Sequence, residues 1–224
     1  MTILETRNLK KIYGEGETQV HALDGINLTV EKGEFVAIVG TSGSGKSTFL
    51  NLAGGLDLPT SGEVIVDQKN LQKLSDNELT IFRRRKIGFI FQQYNLIPML
   101  TLWENIVLPL KLDGRRVDMD YIIEITNMLG LDQKLESLPG TLSGGQQQRA
   151  AIARALAVKP SILLADEPTG NLDSKTSQDV LGLLKITSER FRQTVIMITH
   201  NEEVAQLADR IVRIEDGKIV KGQV

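Results

Sequence analysis

The sequence predicts an α/β fold with a mostly parallel core sheet flanked by helices. Three short segments, at 34–39, 161–165 and 194–199, are dense in apolar and β-branched residues. Continuous apolar runs of this length are typical of strands buried on both faces of a parallel sheet. Helical patterns occur between and after these runs, at 46–53, 76–85, 119–129, 146–157 and 175–187. Alternation of buried strands with helices is the pattern of an α/β domain.

The two ends of the chain and one internal region depart from this pattern. Residues 3–9 and 20–30 alternate only partly between apolar and polar side chains, which favours an antiparallel β subdomain. Asp216-Gly217 lies between two short apolar runs and predicts a hairpin turn. The region after residue 94 is helical in pattern, and we expect a helical subdomain of roughly 94–158, inserted into a single domain spanning 1–224.

Composition and charge narrow the classes of protein that fit. The chain has 224 residues, and 26 basic against 28 acidic residues give a net charge of −2. This balance gives no support to a nucleic-acid binder held by bulk positive charge. There is no cysteine, which suits a reducing cytosol. The longest uncharged stretch, 87–103, contains several polar residues and falls short of the ~18 apolar residues of a membrane span. We therefore expect a soluble protein.

A glycine-rich segment follows the first predicted buried strand and leads into the first predicted helix. It matches the phosphate-binding pattern G-x-x-x-x-G-K-[ST] with Gly40, Thr41, Ser42, Gly43, Ser44, Gly45, Lys46 and Ser47. Glycines let backbone N–H groups face an anion. We expect Lys46 to reach the β- and γ-phosphates, Ser47 to bind Mg²⁺, and Thr48 to add a hydroxyl near the α-phosphate. The alternative is a chance glycine-rich turn.

Two carboxylates end a second buried strand. Asp166 and Glu167 follow the apolar run 162–165, and ligands of open α/β sheets bind at the carboxyl ends of strands. Asp166 is placed to hold Mg²⁺, directly or through water. Glu167 is then the candidate general base that polarises a water molecule. The alternative is an ordinary acidic strand end before the turn at 168–170.

A second candidate anion site precedes the helical pattern at 147–157. Its residues are Leu142, Ser143, Gly144, Gly145 and Gln146. Ser143 is a suitable N-cap, and the two glycines leave the first amides of the helix bare. A plainly capped helix is the alternative. Two phosphate-binding sites in one domain are explained if the second site binds the nucleotide held by another copy of the protein.

These segments together resemble the ATP-binding cassette (ABC) ATPases along the whole chain. The resemblance assigns 40–48 as the Walker A motif, 142–146 as the signature and 162–167 as the Walker B motif. It implies the P-loop NTPase fold of ABC ATPases, with ATP and Mg²⁺ as cofactors. It also implies a head-to-tail homodimer in which each ATP lies between one copy's Walker A motif and the other's signature.

The resemblance also gives roles to single residues. Gln92 resembles the Q-loop glutamine that touches Mg²⁺ and the attacking water, and His200 resembles the switch histidine at the γ-phosphate. Tyr13 resembles the aromatic residue that stacks on adenine, and Asp173 resembles the D-loop aspartate that aligns the two half-sites. A solvated amide, a structural histidine and a core tyrosine are the respective alternatives. His21 matches no motif and is expected at the surface.

Two segments have patterns that nucleotide binding does not explain. The basic run 83–86 is typical of a solvated helix face, with anionic lipid or an acidic partner loop as the second interpretation. The apolar run 94–103 lies beside the Q-loop, where the family's cleft receives a coupling helix of the membrane partner. Core packing explains it equally well. We expect polar replacements at Leu100 or Leu102 to weaken partner binding while ATP hydrolysis continues.

The resemblance therefore implies the ATPase subunit of a membrane transporter, peripheral on the inner face of the membrane and working with separate transmembrane permease subunits. The motifs are most similar to a bacterial branch of macrolide-export, lipoprotein-release and antimicrobial-peptide-resistance ATPases. A soluble ABC ATPase acting on nucleic acid or ribosomes is the alternative. Only 95 residues separate Ser47 from Ser143, which leaves no room for the long coiled coil of chromosome members. No nucleic acid partner is expected.

Overall fold

A computed structural model of the protein describes residues 1–220. The strands are β1 (Thr2–Tyr13), β2 (Val20–Glu31), β3 (Phe35–Val39), β4 (Ser61–Val66), β5 (Lys69–Asn70), β6 (Ile87–Ile90), β7 (Ile162–Asp166), β8 (Thr194–Ile198), β9 (Arg210–Glu215) and β10 (Lys218–Val220). The helices are α1 (Lys46–Ala53), α2 (Asp76–Lys86), α3 (Leu102–Leu112), α4 (Met119–Met128), α5 (Gly144–Ala157), α6 (Ser174–Phe191) and α7 (Glu202–Ala205).

The central sheet has the strand order β10-β9-β3-β8-β7-β6. Strands β9, β3, β8, β7 and β6 are parallel neighbours, and β10 joins β9 as an antiparallel hairpin. The three predicted buried strands are its middle members, β3, β8 and β7. The Asp216-Gly217 turn forms the predicted hairpin, and both residues have positive φ. The predicted mostly parallel sheet is confirmed.

Each central strand contributes to two apolar layers because successive side chains point to opposite faces. In β3, Phe35, Ala37 and Val39 face the layer that contains α3, α4, α5 and α6. Val36 and Ile38 face the other layer, which contains α1 and the antiparallel sheet. All five side chains are buried, so the continuous apolar pattern of this strand reflects burial on both faces.

A second, antiparallel sheet has the order β2-β1-β4-β5. Strands β1 and β2 contain the half-alternating segments from which this β subdomain is predicted. Strands β4, β5 and β6 were not predicted from the sequence. Strand β6 has only four residues and includes Gly88, where an added Cβ would lie 2.7 Å from Leu163 Cδ1. Close packing against β7 thus requires a glycine that lowers the strand propensity of the segment.

Helices α3, α4 and α5 lie between β6 and β7 in the sequence, although the two strands are neighbours in the sheet. Helix α3 begins with a capping box in which Thr101 and Glu104 each bond to the backbone of the other. Its first residue, Leu102, is fully buried in the core. The expectation that Leu102 contacts a partner is therefore wrong, because its side chain is already packed inside the domain. Leu100 is half-buried, and the neighbouring Met99 is 85% exposed.

The basic run at the end of α2 is bonded to the rest of the domain. Arg84 and Arg85 both pair with Asp113, whose side chain is 4% exposed, and the Arg85 hydrogen bond holds the pKa of that carboxyl below its usual value. Lys86 pairs with Asp67. The side chains of Arg85 and Lys86 are still about half exposed, so the run is a solvated helix face, as expected, whose charges are paired within the domain. Within residues 1–220, no helix combines the length and the apolar character that a membrane span needs.

Candidate functional site

The glycine-rich loop connects the carboxyl end of β3 to α1. Gly45 takes φ +105° and Gly40 takes φ +152°, conformations that side-chain-bearing residues rarely adopt. A Cβ on Gly45 would collide with the carbonyl oxygen of Ala22, and one on Gly40 with that of Ile214. The loop is therefore pressed against β2 and β9, and both glycines are required by conformation and by space.

Gly45→Ala is expected to damage the loop for two independent reasons. The new methyl group meets the Ala22 carbonyl, and the left-handed backbone costs about 1 kcal/mol for a non-glycine residue. Gly43→Ala is the matched control, because Gly43 also has positive φ but no atom within 4 Å of its Cβ position. We expect Gly45→Ala to weaken ATP binding much more than Gly43→Ala in a fluorescent-nucleotide titration. Equal affinities would contradict the steric argument.

Lys46 is the first residue of α1 and is 7% exposed. Its amine donates to the carbonyl oxygens of Gly40 at 2.9 Å and Thr41 at 2.6 Å, and lies 3.4 Å from Ser44 Oγ. These contacts hold the amine inside the curve of the loop. Among residues 1–220 it has no carboxylate partner, so its charge is available to an anion bound there.

Glu167 directly follows β7 and has φ +44°, a left-handed conformation unusual for glutamate. Its backbone N–H donates to the Ile198 carbonyl at 3.1 Å, which ties this turn to β8. His200 Nδ1 lies 3.2 Å from Glu167 Oε2. The candidate general base and the candidate switch histidine, from the ends of two adjacent parallel strands, are therefore in contact. Backbone strain of this kind is common at functional sites.

A cavity of about 800 Å³ lies over the loop and opens to the surface. It is lined by predicted site residues, namely Ser42, Gly43, Gly45, Lys46, Ser47, Thr48, Glu167 and His200. The wall is completed by five residues that were not predicted to belong to a site, Val20, His21, Ala22, Asp216 and Gly217. No sequence motif marks them, since they belong to β2 and to the β9–β10 turn. His21 is exposed as expected, but on the rim of this cavity.

Tyr13 lies at the end of β1, paired with Val20 of the cavity wall. The residue is 42% exposed, and its hydroxyl donates to Asp57 Oδ2 at 2.8 Å. Partial burial raises the pKa of the Tyr13 hydroxyl. Lys11 also bonds Asp57 and lies 4.8 Å from the centre of the Tyr13 ring. The side chain is therefore a fixed, half-exposed aromatic surface beside the cavity.

Ser47 and Asp166 are the two predicted Mg²⁺ ligands that the structure brings together. Ser47 Oγ lies 3.3 Å from Asp166 Oδ1. Burial raises the pKa of the Asp166 carboxyl, and the neighbouring Glu167 charge raises it further. A hydroxyl and a carboxylate oxygen are ligands that Mg²⁺ prefers, and a cation would relieve the desolvated charge of Asp166. The donor set therefore fits magnesium.

Gln92 is not bonded to the predicted Mg²⁺ ligands but to Asn171. Its amide nitrogen lies 3.3 Å from Asn171 Oδ1, and Asn171 Nδ2 donates to the Gln92 carbonyl at 3.0 Å. Gly170 leaves room for the Gln92 side chain, since a Cβ there would lie 2.6 Å from Gln92 Nε2. The glutamine is thus bonded to the segment before α6 and does not contact Ser47 or Asp166 in this structure. The contact between Gln92 and Asn171 is not predicted by any motif in the sequence.

The candidate signature residues form a separate surface at the start of α5. Ser143 caps the helix and Gln146 completes a capping box, so the helix begins at Gly144, two residues earlier than predicted. Asp173 caps α6, accepting bonds from the backbone and hydroxyl of Thr176. Gly145 packs on Thr176, where a Cβ would lie 2.5 Å from Thr176 Cγ2. None of residues 142–146 lines the cavity over the glycine-rich loop.

A parallel α/β sheet in which β3 ends in a G-x-x-x-x-G-K-S loop, with paired carboxylates at the same sheet edge at the end of β7, two strands away, defines the class of P-loop nucleoside triphosphatases. Within this class, the helical region that lies between β6 and β7 in the sequence agrees with the helical subdomain of the ABC ATPases. The sequence profile of the family described as "ABC transporter" matches residues 23–170. The chain belongs to the ABC transporter family, and it is an ATPase that binds ATP, as the resemblance implied.

Known proteins similar to this chain include two transporter components and one solved structure. The lipoprotein-releasing system ATP-binding protein LolD of Geobacter metallireducens is 48% identical over 221 residues, covering 98% of both chains. The macrolide export ATP-binding/permease protein MacB of Hyphomonas neptunium is 47% identical over 223 residues, covering 97% of this chain and 34% of MacB. These similarities confirm the predicted branch.

The solved structure is a dimeric post-hydrolysis state of an ATP-binding cassette from Methanocaldococcus jannaschii, bound to ADP and Pi. It is 46% identical, superposes with a TM-score of 0.87, and the match covers 99% of this chain and 98% of that one. The predicted ABC-ATPase fold is confirmed by this similarity.

Proposed function

We propose that this chain is the ATP-hydrolysing subunit of a membrane transporter, which forms a head-to-tail homodimer when ATP binds. The observation that supports this most directly is the separation of two phosphate-binding features within one chain. The cavity over the glycine-rich loop has no wall from residues 142–146, and at the start of α5 the cap residue Ser143 is exposed and Gly144 and Gln146 are partly exposed. A second copy in inverted orientation would place its α5 N-terminus over the open cavity. The similar cassette of known structure is described as dimeric.

In this proposal, each site residue has one task in hydrolysis. Lys46 and the loop amides hold the phosphates, and Tyr13 stacks on adenine. Ser47 and Asp166 would hold Mg²⁺, which would supply positive charge to neutralise the phosphates. Glu167 accepts the proton of the attacking water, and His200, already in contact with Glu167, is positioned toward the γ-phosphate.

The remaining roles concern contacts that change when the dimer forms. Gln92, now bonded to Asn171, would turn to the loaded site, and nucleotide occupancy would thereby be coupled to the segment 91–101. Asp173 keeps the start of α6 in place at the interface and aligns the two half-sites. Residues 142–146 contact the ATP of the other copy through the helix N-terminus.

We further propose that the chain acts on the inner face of the cell membrane, with residues 1–224 forming one cassette domain and roughly 94–158 its helical subdomain. Separate permease subunits would receive the motion of the ATPase dimer. The proposed transport task is export or extraction of a peptide, a lipoprotein or a drug, and the names of the relatives support a lipoprotein or a macrolide. The test is affinity purification of the chain from its native membrane. A co-purifying integral membrane protein that stimulates ATP hydrolysis supports the proposal. Stimulation by DNA or ribosomes instead would favour the nucleic-acid alternative.

An exposed apolar surface beside the Q-loop is the proposed contact with the permease. Met99 is 85% exposed, and Ile97 and Leu138 are also exposed. We expect Met99→Glu to weaken permease binding at least tenfold, because it places a charge in an apolar contact. ATP hydrolysis by the free chain should stay within twofold of wild type. Leu112→Glu, at another exposed apolar position, is the matched control in a pull-down. Equal retention of both variants by the permease would exclude this surface.

A further inference from the structure

The segment between β6 and α3, which contains Gln92, has no secondary structure of its own from residue 91 to 101. Its far end is held by Asn105 of α3, a fully buried side chain. Asn105 accepts a bond from the Ile97 N–H at 2.7 Å and donates to the carbonyl oxygens of Ile97 and Leu100 at 3.1 and 3.0 Å. The part nearest Gln92 is not reached by these bonds. It needs another support if Gln92 is to have a fixed position.

That support comes from α5. Arg154 Nη1 donates to the carbonyl oxygen of Asn95 at 2.6 Å, and Nη2 donates to that of Tyr94 at 2.9 Å. One planar guanidinium therefore bonds two consecutive carbonyl groups of the segment. Asn95 has φ +49°, a conformation that turns the chain and lets both carbonyl groups face the same side chain. A flexible ammonium group cannot reproduce this paired geometry.

The surroundings of Arg154 indicate that these bonds are its main interaction. Among residues 1–220 it forms no salt bridge, and burial lowers the pKa of its guanidinium. Placing a cation in a partly buried position without a carboxylate is unfavourable unless strong hydrogen bonds compensate. On the same helix, the fully buried Gln148 donates to the Phe91 carbonyl at 3.3 Å. Two side chains of α5 therefore hold the backbone on both sides of Gln92.

The other end of α5 is in contact with the same segment. Gly144 lies so close to Tyr94 that an added Cβ would be 2.6 Å from the tyrosine hydroxyl. Helix α5 thus contacts Tyr94 at its first turn through Gly144 and bonds the Tyr94 carbonyl from its last turn through Arg154. The signature residues and the Gln92 segment are joined through one rigid helix.

We propose that Arg154 is a positioning residue for ATP hydrolysis, which sets the place of Gln92 by fixing the backbone at Tyr94 and Asn95 and ties that place to the signature end of α5. The inference rests on the proposed function, because it assumes that Gln92 acts at the loaded site. Arg154 itself touches neither nucleotide nor metal. Its loss should therefore lower the rate of hydrolysis and leave ATP affinity nearly unchanged.

The experiment compares Arg154→Met and Arg154→Lys with Arg115→Met in the full chain. Arg115 lies in the same helical region and also donates to a backbone carbonyl, that of Val158 at 3.2 Å, but it does not contact the Gln92 segment. We expect Arg154→Met to lower kcat by about 10- to 100-fold, the usual effect of misplacing an active-site group, with KM for ATP within threefold. Arg154→Lys should be intermediate, and Arg115→Met within twofold of wild type.

A double variant separates positioning from general damage. If Arg154 acts through Gln92, adding Arg154→Met to Gln92→Ala should lower kcat by less than a further twofold, because the effects of residues that act through one hydrogen-bonded network are not additive. A full additional loss in the double variant, or a wild-type kcat in Arg154→Met, would overturn the proposal. Should the methionine variant fail to fold, the lysine variant provides the same comparison.

Hydrogen exchange gives a readout that does not depend on hydrolysis. Without nucleotide, the amides of residues 92–97 should exchange at least tenfold faster in Arg154→Met than in wild type or Arg115→Met. Unchanged exchange there would overturn the proposal even if activity fell. Wild-type hydrolysis by Gln92→Ala would instead contradict the proposed function of Gln92 and leave the exchange result standing.

Discussion

Lys46→Ala should bind ATP at least tenfold more weakly and show no measurable hydrolysis. The substitution removes the only lysine amine lining the cavity over the glycine-rich loop, within the described residues. Charge-assisted hydrogen bonds of this kind contribute about 1.5–3 kcal/mol each, and one such bond already corresponds to more than a tenfold change in affinity. Lys46 is held inside the loop by three contacts within the protein, so its side chain loses little conformational entropy on binding.

The measurement is isothermal titration with ATP, followed by a phosphate-release assay. Lys73→Ala serves as the control, because Lys73 is an exposed lysine in the turn after β5 and lies outside the cavity. Lys46→Met is a second variant that keeps the apolar stem of the side chain and removes only the amine. Wild-type hydrolysis by either Lys46 variant would rule out the P-loop assignment. A lower melting temperature with a normal affinity for ATP would mean that Lys46 stabilises the loop and does not bind the nucleotide.

Those parts of the fold that depend on local sequence signals could be predicted closely. Helix α1 has the predicted bounds, because a glycine turn starts it and a glycine follows it. Strands β3, β7 and β8 agree with the predicted segments to within one residue at each end. The agreement is close because the apolar run in the sequence has nearly the same length as the buried strand. Helix α6 extends to Phe191, beyond the predicted end at 187, because its last turns are anchored by packing that the pattern does not reveal.

The parts that could not be predicted depend on contacts between distant residues. Glu167 and His200 are 33 positions apart in sequence, and only the neighbouring placement of β7 and β8 brings their side chains to 3.2 Å. Leu102 follows the exposed Met99 within three residues, yet the start of α3 turns its side chain into the core. The bonds of Arg154 to the Gln92 segment span about 60 positions, and no sequence motif marks them.

Glu167→Gln should nearly stop hydrolysis and hold two chains together in the presence of ATP. The glutamine keeps the shape of the side chain but cannot accept the proton of the attacking water, and losing a general base typically costs 10²- to 10⁴-fold in rate. The substitution also removes a negative charge next to the site of the γ-phosphate, where repulsion opposes closure of the dimer. Both effects favour an ATP-bound dimer, whereas the wild type hydrolyses its ATP and separates.

Size-exclusion chromatography of Glu167→Gln with ATP, with ADP and without nucleotide tests this expectation. A mass near twice 24.8 kDa should be found with ATP alone. Glu189→Gln is the control, since Glu189 is an exposed glutamate near the end of α6 and lies outside the cavity; it should hydrolyse ATP normally and remain a monomer. Because glutamine and glutamate have the same backbone requirements, the left-handed conformation at position 167 is retained, and a change in folding cannot explain the result. A monomer under all three conditions, with ATP binding verified by titration, would argue against the head-to-tail dimer. An ATP-bound dimer that still hydrolyses ATP at the wild-type rate would mean that a residue other than Glu167 is the general base.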